Sequence, residues 1–159
     1  MLLKVYSQED LNEIKIYVVK PDTKFQGMAL CRFVFLGNKA TMLDLIHEIF
    51  HIKQQKSVGC FKLITKGFIQ QAKLNSDRLY YYNITNTGNY NEEQEASIME
   101  MYYVTNIMGK DGYDQRCLDC ENLTFNEKKH FFQVEYSSLI TKYSSWKRDI
   151  IAEMYIMKK

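Results

Sequence analysis

The chain has little of what builds a membrane protein or a nucleic-acid-binding surface. It contains one proline and seven glycines in 159 residues, and it shows no low-complexity stretch or obvious linker. No apolar run approaches the ~20 residues that a membrane-spanning helix needs, and the N-terminus turns polar too early for a signal peptide. The net charge is only +2, without a long basic run, so no nucleic-acid partner is expected. We therefore expect one soluble, cytoplasmic domain over residues 1–159, with no membrane partner.

The four cysteines are too few and too scattered to indicate a disulfide framework. Cys31 and Cys60 are isolated beside apolar residues and are expected to be buried thiols. Cys117 and Cys120 have the CxxC spacing of a zinc knuckle or a redox pair. A structural zinc needs four ligands, and His130 is the only further candidate nearby, so we interpret this pair as belonging to a loop without a separate function.

The most informative motif is HExxH, formed by His47, Glu48 and His51. Residues four apart lie on the same face of an α-helix, so the two imidazoles can bind one metal ion. Glu48 lies about 100° around the helix from His47 and can reach a water at that metal. The motif therefore predicts two zinc ligands and a general base on one helical turn.

The residues around the motif favour a helix with one polar strip. Thr41 and Asp44 have the spacing of a capping box at its start. The histidines and Glu48 share the polar arc with Asp44, and the rest of the surface is apolar: Met42, Leu43, Leu45, Ile46, Ile49, Phe50 and Ile52. Such a helix can hide most of its surface and face a cleft with its ligands. The alternative is a surface helix whose histidines face solvent.

The order of predicted elements indicates an α+β, zincin-like fold: a small twisted sheet packed on the HExxH helix and on a second, glutamate-bearing helix, with a helical C-terminal region. The predicted helices cover residues 7–14, 41–55, 61–74, 91–108 and two stretches within 125–157 that are interrupted near 144. The predicted strands cover residues 16–19, 28–36 and 80–85.

Two histidines make a poor zinc site, so a third ligand is needed. The metzincin pattern needs a third histidine six residues after His51, but position 57 is Ser and position 54 is Gln, which excludes that pattern. The remaining solution is a glutamate from the later helix. Glu95 shares a helical face with the apolar Ile98, Met99 and Tyr102, and a carboxylate turned toward a core needs a partner such as a metal. Glu95 is therefore preferred, while Glu93 stays open as the alternative.

HExxH followed by a downstream glutamate resembles the gluzincin arrangement. Within it, the run from Glu93 through Glu95 and Ala96 to Ser97 is similar to the ExEAN-type element of the ImmA/IrrE metallopeptidases, which are small intracellular bacterial proteases that cleave transcriptional repressors. The resemblance covers residues 28–108 and implies His47, His51 and Glu95 as zinc ligands. The chain departs from the family in its gap of 44 residues between His51 and Glu95 and in Ser97, which stands where the family has Asn. The long gap is similar to that of the anthrax lethal factor zincin domain, and under that alignment Glu93 stays possible as the ligand.

The resemblance implies a zinc-dependent endopeptidase that acts on an intracellular protein substrate, with Glu48 as general base. An extended substrate is expected to pair with the strand at residues 28–36. Candidates for stabilising the oxyanion are Tyr82, Tyr90 and His130. An inactive zincin-fold module that binds a protein partner is the alternative.

Overall fold

The computed structural model describes residues 2–19, 26–60, 62, 79–111 and 116–144, and these form an α+β arrangement. The α-helices are α1 (Gln8–Asn12), α2 (Met42–Val58), α3 (Glu92–Tyr102) and α4 (Phe125–Lys142). The strands are β1 (Lys15–Val18), β2 (Gly27–Leu30) and β3 (Phe33–Leu36). Apart from residue 62, the helix predicted at 61–74 lies outside the described residues, as does the part of the C-terminal helical prediction beyond residue 144.

Capping boxes start all four α-helices. In each, the first side chain accepts a hydrogen bond from the backbone three residues later, and the later side chain accepts one in return. The pairs are Ser7 and Asp10, Thr41 and Asp44, Asn91 and Gln94, and Thr124 and Glu127. The two starts predicted at Thr41 and Asn91 are therefore confirmed. Past α3 the chain continues as a π-helical turn, Tyr103–Ile107, and Gly109 with φ of 65° follows it, as expected for a C-terminal stop.

The sheet has the strand order β1-β3-β2, with β1 parallel and β2 antiparallel to β3. The single strand predicted at 28–36 is therefore wrong: it is a hairpin that turns at Cys31 and Arg32. Cys31 has φ of 56°, which is uncommon for a residue other than glycine. The sequence did not indicate the turn because the run is apolar on both sides of Arg32 and no Gly, Pro or Asn marks the turn.

Contacts with the end of α2 hold this hairpin in place. The side-chain oxygen of Gln55 accepts from the Cys31 backbone N–H at 2.6 Å, and its amide nitrogen donates to the Ala29 carbonyl at 3.1 Å. Cys31 also forms a disulfide with Cys60, just past the helix end. The prediction of two buried free thiols is thus wrong, and β2 is fixed alongside α2.

The strand predicted at residues 80–85 is short. Within the part of the chain that the structure describes, its pairing is an isolated bridge between Tyr82 and Cys117, followed by a 3-10 turn, Ile84–Asn86. Cys117 is disulfide-bonded to Cys120.

The core lies where α2 packs on the sheet on one side and on α3 on the other, and α4 covers α3. Its largest fully buried side chains include Val34, Ile46, Ile49, Phe50, Ile52, Ile98, Met99 and Phe132. Among the described residues, none of the helices has the length and apolar character needed to cross a membrane. The packing brings the polar strip of α2 against the first turns of α3.

A buried ion pair joins α1 to α2. Lys53 donates to both carboxylate oxygens of Asp10, at 2.9 and 3.0 Å, and both residues are 8% exposed. Burial alone would raise the pKa of Asp10, but the hydrogen bonds from Lys53 and Ser7 outweigh it and lower that pKa. The pair therefore stabilises the fold above the ordinary Asp pKa of about 3.9, and this contribution is lost as the pH falls through the lowered value.

Substituting Lys53 should show this dependence. We expect Lys53→Met to lower the free energy of unfolding by roughly 3 kcal/mol at pH 7, because it leaves a buried carboxylate without its cation. The loss should shrink as the pH falls through the lowered pKa of Asp10, where the carboxylate takes up a proton. Urea unfolding at pH 7 and at acid pH measures this loss. Lys56→Met, which breaks a pair with the exposed Glu13, is the control and should cost at most about 1 kcal/mol.

Candidate metal centre

The two histidines of the motif lie one turn apart on α2 and face each other. Their rings meet edge to face, with centroids 4.7 Å apart, and the two Nε2 atoms are separated by 3.0 Å. His47 is buried and His51 is largely buried. The predicted helix thus places both imidazoles at one point beneath the surface.

Glu93 completes the group from the first turn of α3. Its Oε2 lies 3.1 Å from Nε2 of His47 and 3.3 Å from Nε2 of His51, so three potential ligand atoms lie within 3.3 Å of one another. Zinc bonds to nitrogen and oxygen are about 2.0–2.1 Å long, and the ligands of a tetrahedral ion are then about 3.3–3.4 Å apart. The spacing therefore suits one face of a zinc tetrahedron.

The outer nitrogen of His47 is bound by a carboxylate that is itself held in place. Nδ1 lies 2.7 Å from Oε1 of Glu100, and Arg116 donates to both oxygens of that carboxylate, at 3.2 and 2.7 Å. A carboxylate so bound accepts, so Nδ1 of His47 donates. The remaining nitrogen, Nε2, then presents its lone pair to the centre.

The outer nitrogen of His51 is bound by an amide whose orientation is fixed. Nδ1 lies 2.8 Å from Oε1 of Gln54. The amide nitrogen of Gln54 donates to the Glu92 carbonyl at 3.1 Å and to Oε2 of Glu95 at 2.9 Å. Both of these partners are acceptors, so the amide cannot be reversed, and Nδ1 of His51 must donate to its oxygen.

Three acceptors therefore meet at the centre: two imidazole lone pairs and one carboxylate oxygen. Such a set needs a cation or a proton to hold it together. In the protein without metal a proton can serve. Burial lowers the pKa of His47, but the hydrogen bonds and charges of Glu100 and Glu93 outweigh it and raise that pKa to about 10. Against its own burial, the same histidines hold the pKa of Glu93 well below its usual range.

Glu48 lies between the histidines and strand β2. It is 9% exposed, and burial raises the pKa of its carboxyl, opposed by the charges of His51 and His47. A Cβ added to Gly27 would approach Cγ and Oε1 of Glu48 to 2.8 Å. The absence of a side chain at Gly27 therefore makes room for the Glu48 carboxylate beside the strand.

Glu95 does not join the centre, and this corrects the preference for it as third ligand. Its carboxylate is 2% exposed and accepts from Gln54, from Nζ of Lys142 and from the hydroxyl of Tyr143. A carboxylate turned toward the core does need partners, but those of Glu95 are the Lys142 cation, the Tyr143 phenol and the Gln54 amide rather than a metal. Glu93 is the residue beside the histidines.

The predicted oxyanion candidates have other contacts or positions. Tyr82 is buried edge-to-face against Tyr90, the hydroxyl of Tyr90 donates to the Asn83 carbonyl, and His130 is exposed on α4.

Tyr80 was missed by the sequence reasoning. Its pKa is raised to about 12, first by burial and then by the charges of Glu93 and Glu48, so this phenol lies within the electrostatic reach of the centre. Nothing in the tyrosine-rich run at 80–82 distinguishes it in sequence, since only the packing of α3 shows which phenol faces the acids.

Cys117, Asp119 and Cys120 form a second group close enough to hold a metal. Their ordinary contacts already account for them: the cysteines form a disulfide, and Asp119 accepts from the backbone of Ile84 at 2.7 Å. This agrees with the interpretation of the CxxC as part of a loop.

Comparison of the chain with protein-family models, with curated proteins and with solved structures finds no match. The case for the centre therefore comes from its own geometry and from the motif.

Metal content distinguishes the two glutamates. We expect the purified wild-type protein to hold one zinc per chain, Glu93→Ala to lose it, and Glu95→Ala to keep binding with reduced affinity. The reason is that only Glu93 places an oxygen at the histidines. Elemental analysis of dialysed protein gives the stoichiometry, with His51→Ala as the variant without the centre. Full zinc content in Glu93→Ala would contradict this ligand set.

Proposed function

We propose that the protein is a zinc-dependent endopeptidase of the gluzincin type with a zincin-like fold, in which His47, His51 and Glu93 bind the metal. The observation that supports this most is the convergence of three acceptor atoms within 3.3 Å, two from α2 and one from α3. The ExEAN-like element and the HExxH motif resemble those of the ImmA/IrrE metallopeptidases, which makes a protein substrate, such as a transcriptional repressor, the class to test.

The donor set suits zinc. Two imidazole nitrogens and one carboxylate oxygen are the ligands of many catalytic zinc sites. When bound, zinc would supply a fourth position at which the pKa of a water falls to about 7 and a peptide carbonyl is polarised. Glu100 and Gln54 orient the two imidazoles from behind, as partners of metal-binding histidines commonly do.

Glu48 has the position and the surroundings of the general base. It neighbours His47 in sequence, and its burial beside the centre raises the pKa of its carboxyl, which makes it a stronger base. In the proposed reaction Glu48 takes the proton of the attacking water and passes it to the leaving amine. Gly27 leaves the space in which this carboxylate can move.

The substrate is proposed to bind along β2. The sequence placed this role on the strand directly before α2, but β3 is the central strand and is paired on both sides. Within the described residues, β2 pairs only with β3, so its other edge can accept an extended peptide. Gly27 at its start contacts Glu48, so a peptide paired there would pass the proposed base.

Replacing the base should separate chemistry from metal binding. Glu48→Gln keeps the size of the side chain but cannot take a proton, so hydrolysis should fall at least about 100-fold while zinc stays at one per chain. Cleavage of a proteome-derived peptide library, followed by mass spectrometry, measures activity without a known substrate. Zinc binding without cleavage in the wild type would instead favour an inactive binding module.

A methyl group at Gly27 tests the space around the base. Gly27→Ala should reduce turnover because its Cβ collides with Cγ of Glu48, whereas zinc content should not change. Met28→Ala on the same strand is the control, since that side chain is 47% exposed and lies on the other face. Equal turnover in Gly27→Ala and wild type would contradict the proposed position of Glu48.

A further inference from the structure

We propose that Glu95 and Gln54 are positioning residues that fix the tautomer of His51 and connect the metal centre to the end of α4. This inference rests on the proposed zinc site. It gives a role to the carboxylate that the sequence identified as functional and that the centre itself does not use.

The connection is a continuous chain of hydrogen bonds. It runs from Nδ1 of His51 to Oε1 of Gln54 at 2.8 Å, and from the Gln54 amide nitrogen to Oε2 of Glu95 at 2.9 Å. At its far end the hydroxyl of Tyr143 donates to the same oxygen at 2.6 Å, and Nζ of Lys142 donates to Oε1. Gln54 and Glu95 are 0% and 2% exposed, so water does not compete for these bonds.

The chemistry of each position follows from the direction of these bonds. Glu95 receives three donors, and an ionised carboxylate accepts at both oxygens with no donor of its own. Gln54 must accept from His51 on one side and donate to Glu95 on the other, which an amide does and a carboxylate does not. A glutamate at position 54 would face the Glu95 carboxylate directly, without a proton between them.

The orientation of the Gln54 amide decides whether Nε2 of His51 is free to bind the metal. Glu95 and the Glu92 carbonyl together hold the amide nitrogen of Gln54. The amide oxygen then faces Nδ1 of His51, Nδ1 carries the proton, and Nε2 is free to bind zinc. If the amide were released and turned, its nitrogen would face Nδ1. The ring proton would then move to Nε2, where it blocks the metal. Glu95 thus acts on the metal through the orientation of one amide.

Removing the two side chains, singly and together, provides the test. Gln54→Leu takes the acceptor away from Nδ1 of His51 and should weaken zinc binding by about 10–100-fold, the usual effect of losing a partner of a metal-binding histidine. Glu95→Leu removes one of the two acceptors of the Gln54 amide nitrogen, while the Glu92 carbonyl still accepts from it, and should weaken zinc binding by a smaller factor. Because both residues act through His51, the zinc affinity of the double variant should lie within about threefold of that of Gln54→Leu. Competition with a chromophoric chelator measures the affinity.

The control is Gln55→Leu, which makes the same change at the next residue of α2. Gln55 binds the β2–β3 hairpin and not His51, so zinc affinity should change by less than about threefold. Heteronuclear NMR of the zinc-loaded wild type gives a reading that needs no variant to fold: His51 should carry its proton on Nδ1 and bind zinc through Nε2.

Each failure has its own signature. A wild type that binds no zinc overturns the metal centre together with this inference. A wild type that loses zinc in His51→Ala, but keeps full affinity in both Gln54→Leu and Glu95→Leu, overturns the relay alone. So does a double variant whose loss of affinity equals the product of the two single losses, because the two residues would then act on zinc binding independently.

Discussion

The meeting of three hydrogen-bond acceptors at one buried point is the constraint around which this structure is organised. Two imidazole nitrogens from α2 and a carboxylate oxygen from α3 lie 3.0–3.3 Å apart. They stay together only if something positively charged lies among them and if each ring proton is held on the far side. The second condition is met by neighbours of the centre, Glu100 for His47 and Gln54 for His51. The packing of α2 on α3 therefore serves the centre as much as the core.

The α3 helix has an unusual number of buried or largely buried carboxylates for its 11 residues. Glu95 and Glu100 are both buried in it, and Glu93 is largely buried. A buried carboxylate is tolerated only with hydrogen-bonded or charged partners, and each of these has them. Arg116 binds Glu100, Lys142 binds Glu95, and the histidines bind Glu93. Burying these carboxylates opposes folding, which is expected where residues serve a function rather than stability.

The sequence predicted the two histidines of the centre, which lie on one helix. It did not favour Glu93, whose position depends on how two helices pack. HExxH, with its capping box, located α2 and both histidines because their spacing is a local property. The choice between Glu93 and Glu95 depended on which face of α3 turns toward α2. The apolar side was taken as the buried one, but the strip with Glu93, Ala96, Ser97 and Glu100 is buried as well. Its small residues were the available signal, since they let two helices approach closely, and the seven-residue spacing of Glu93 and Glu100 put both carboxylates on that face.

The hairpin was also missed, because no turn residue marks it in the sequence. Its contacts show how α2 joins the two parts of the proposed active site. Gln54 and Gln55 are neighbours that point in different directions: the first orients His51, and the second binds the turn between β2 and β3. The Cys31–Cys60 disulfide fixes that turn a second time, at the end of the same helix. A displacement of α2 would therefore move both histidines, the base and the proposed substrate strand together. Binding of a peptide to β2 and binding of metal between α2 and α3 would then act on one rigid element, which is the condition for holding a scissile bond at a fixed distance from Glu48.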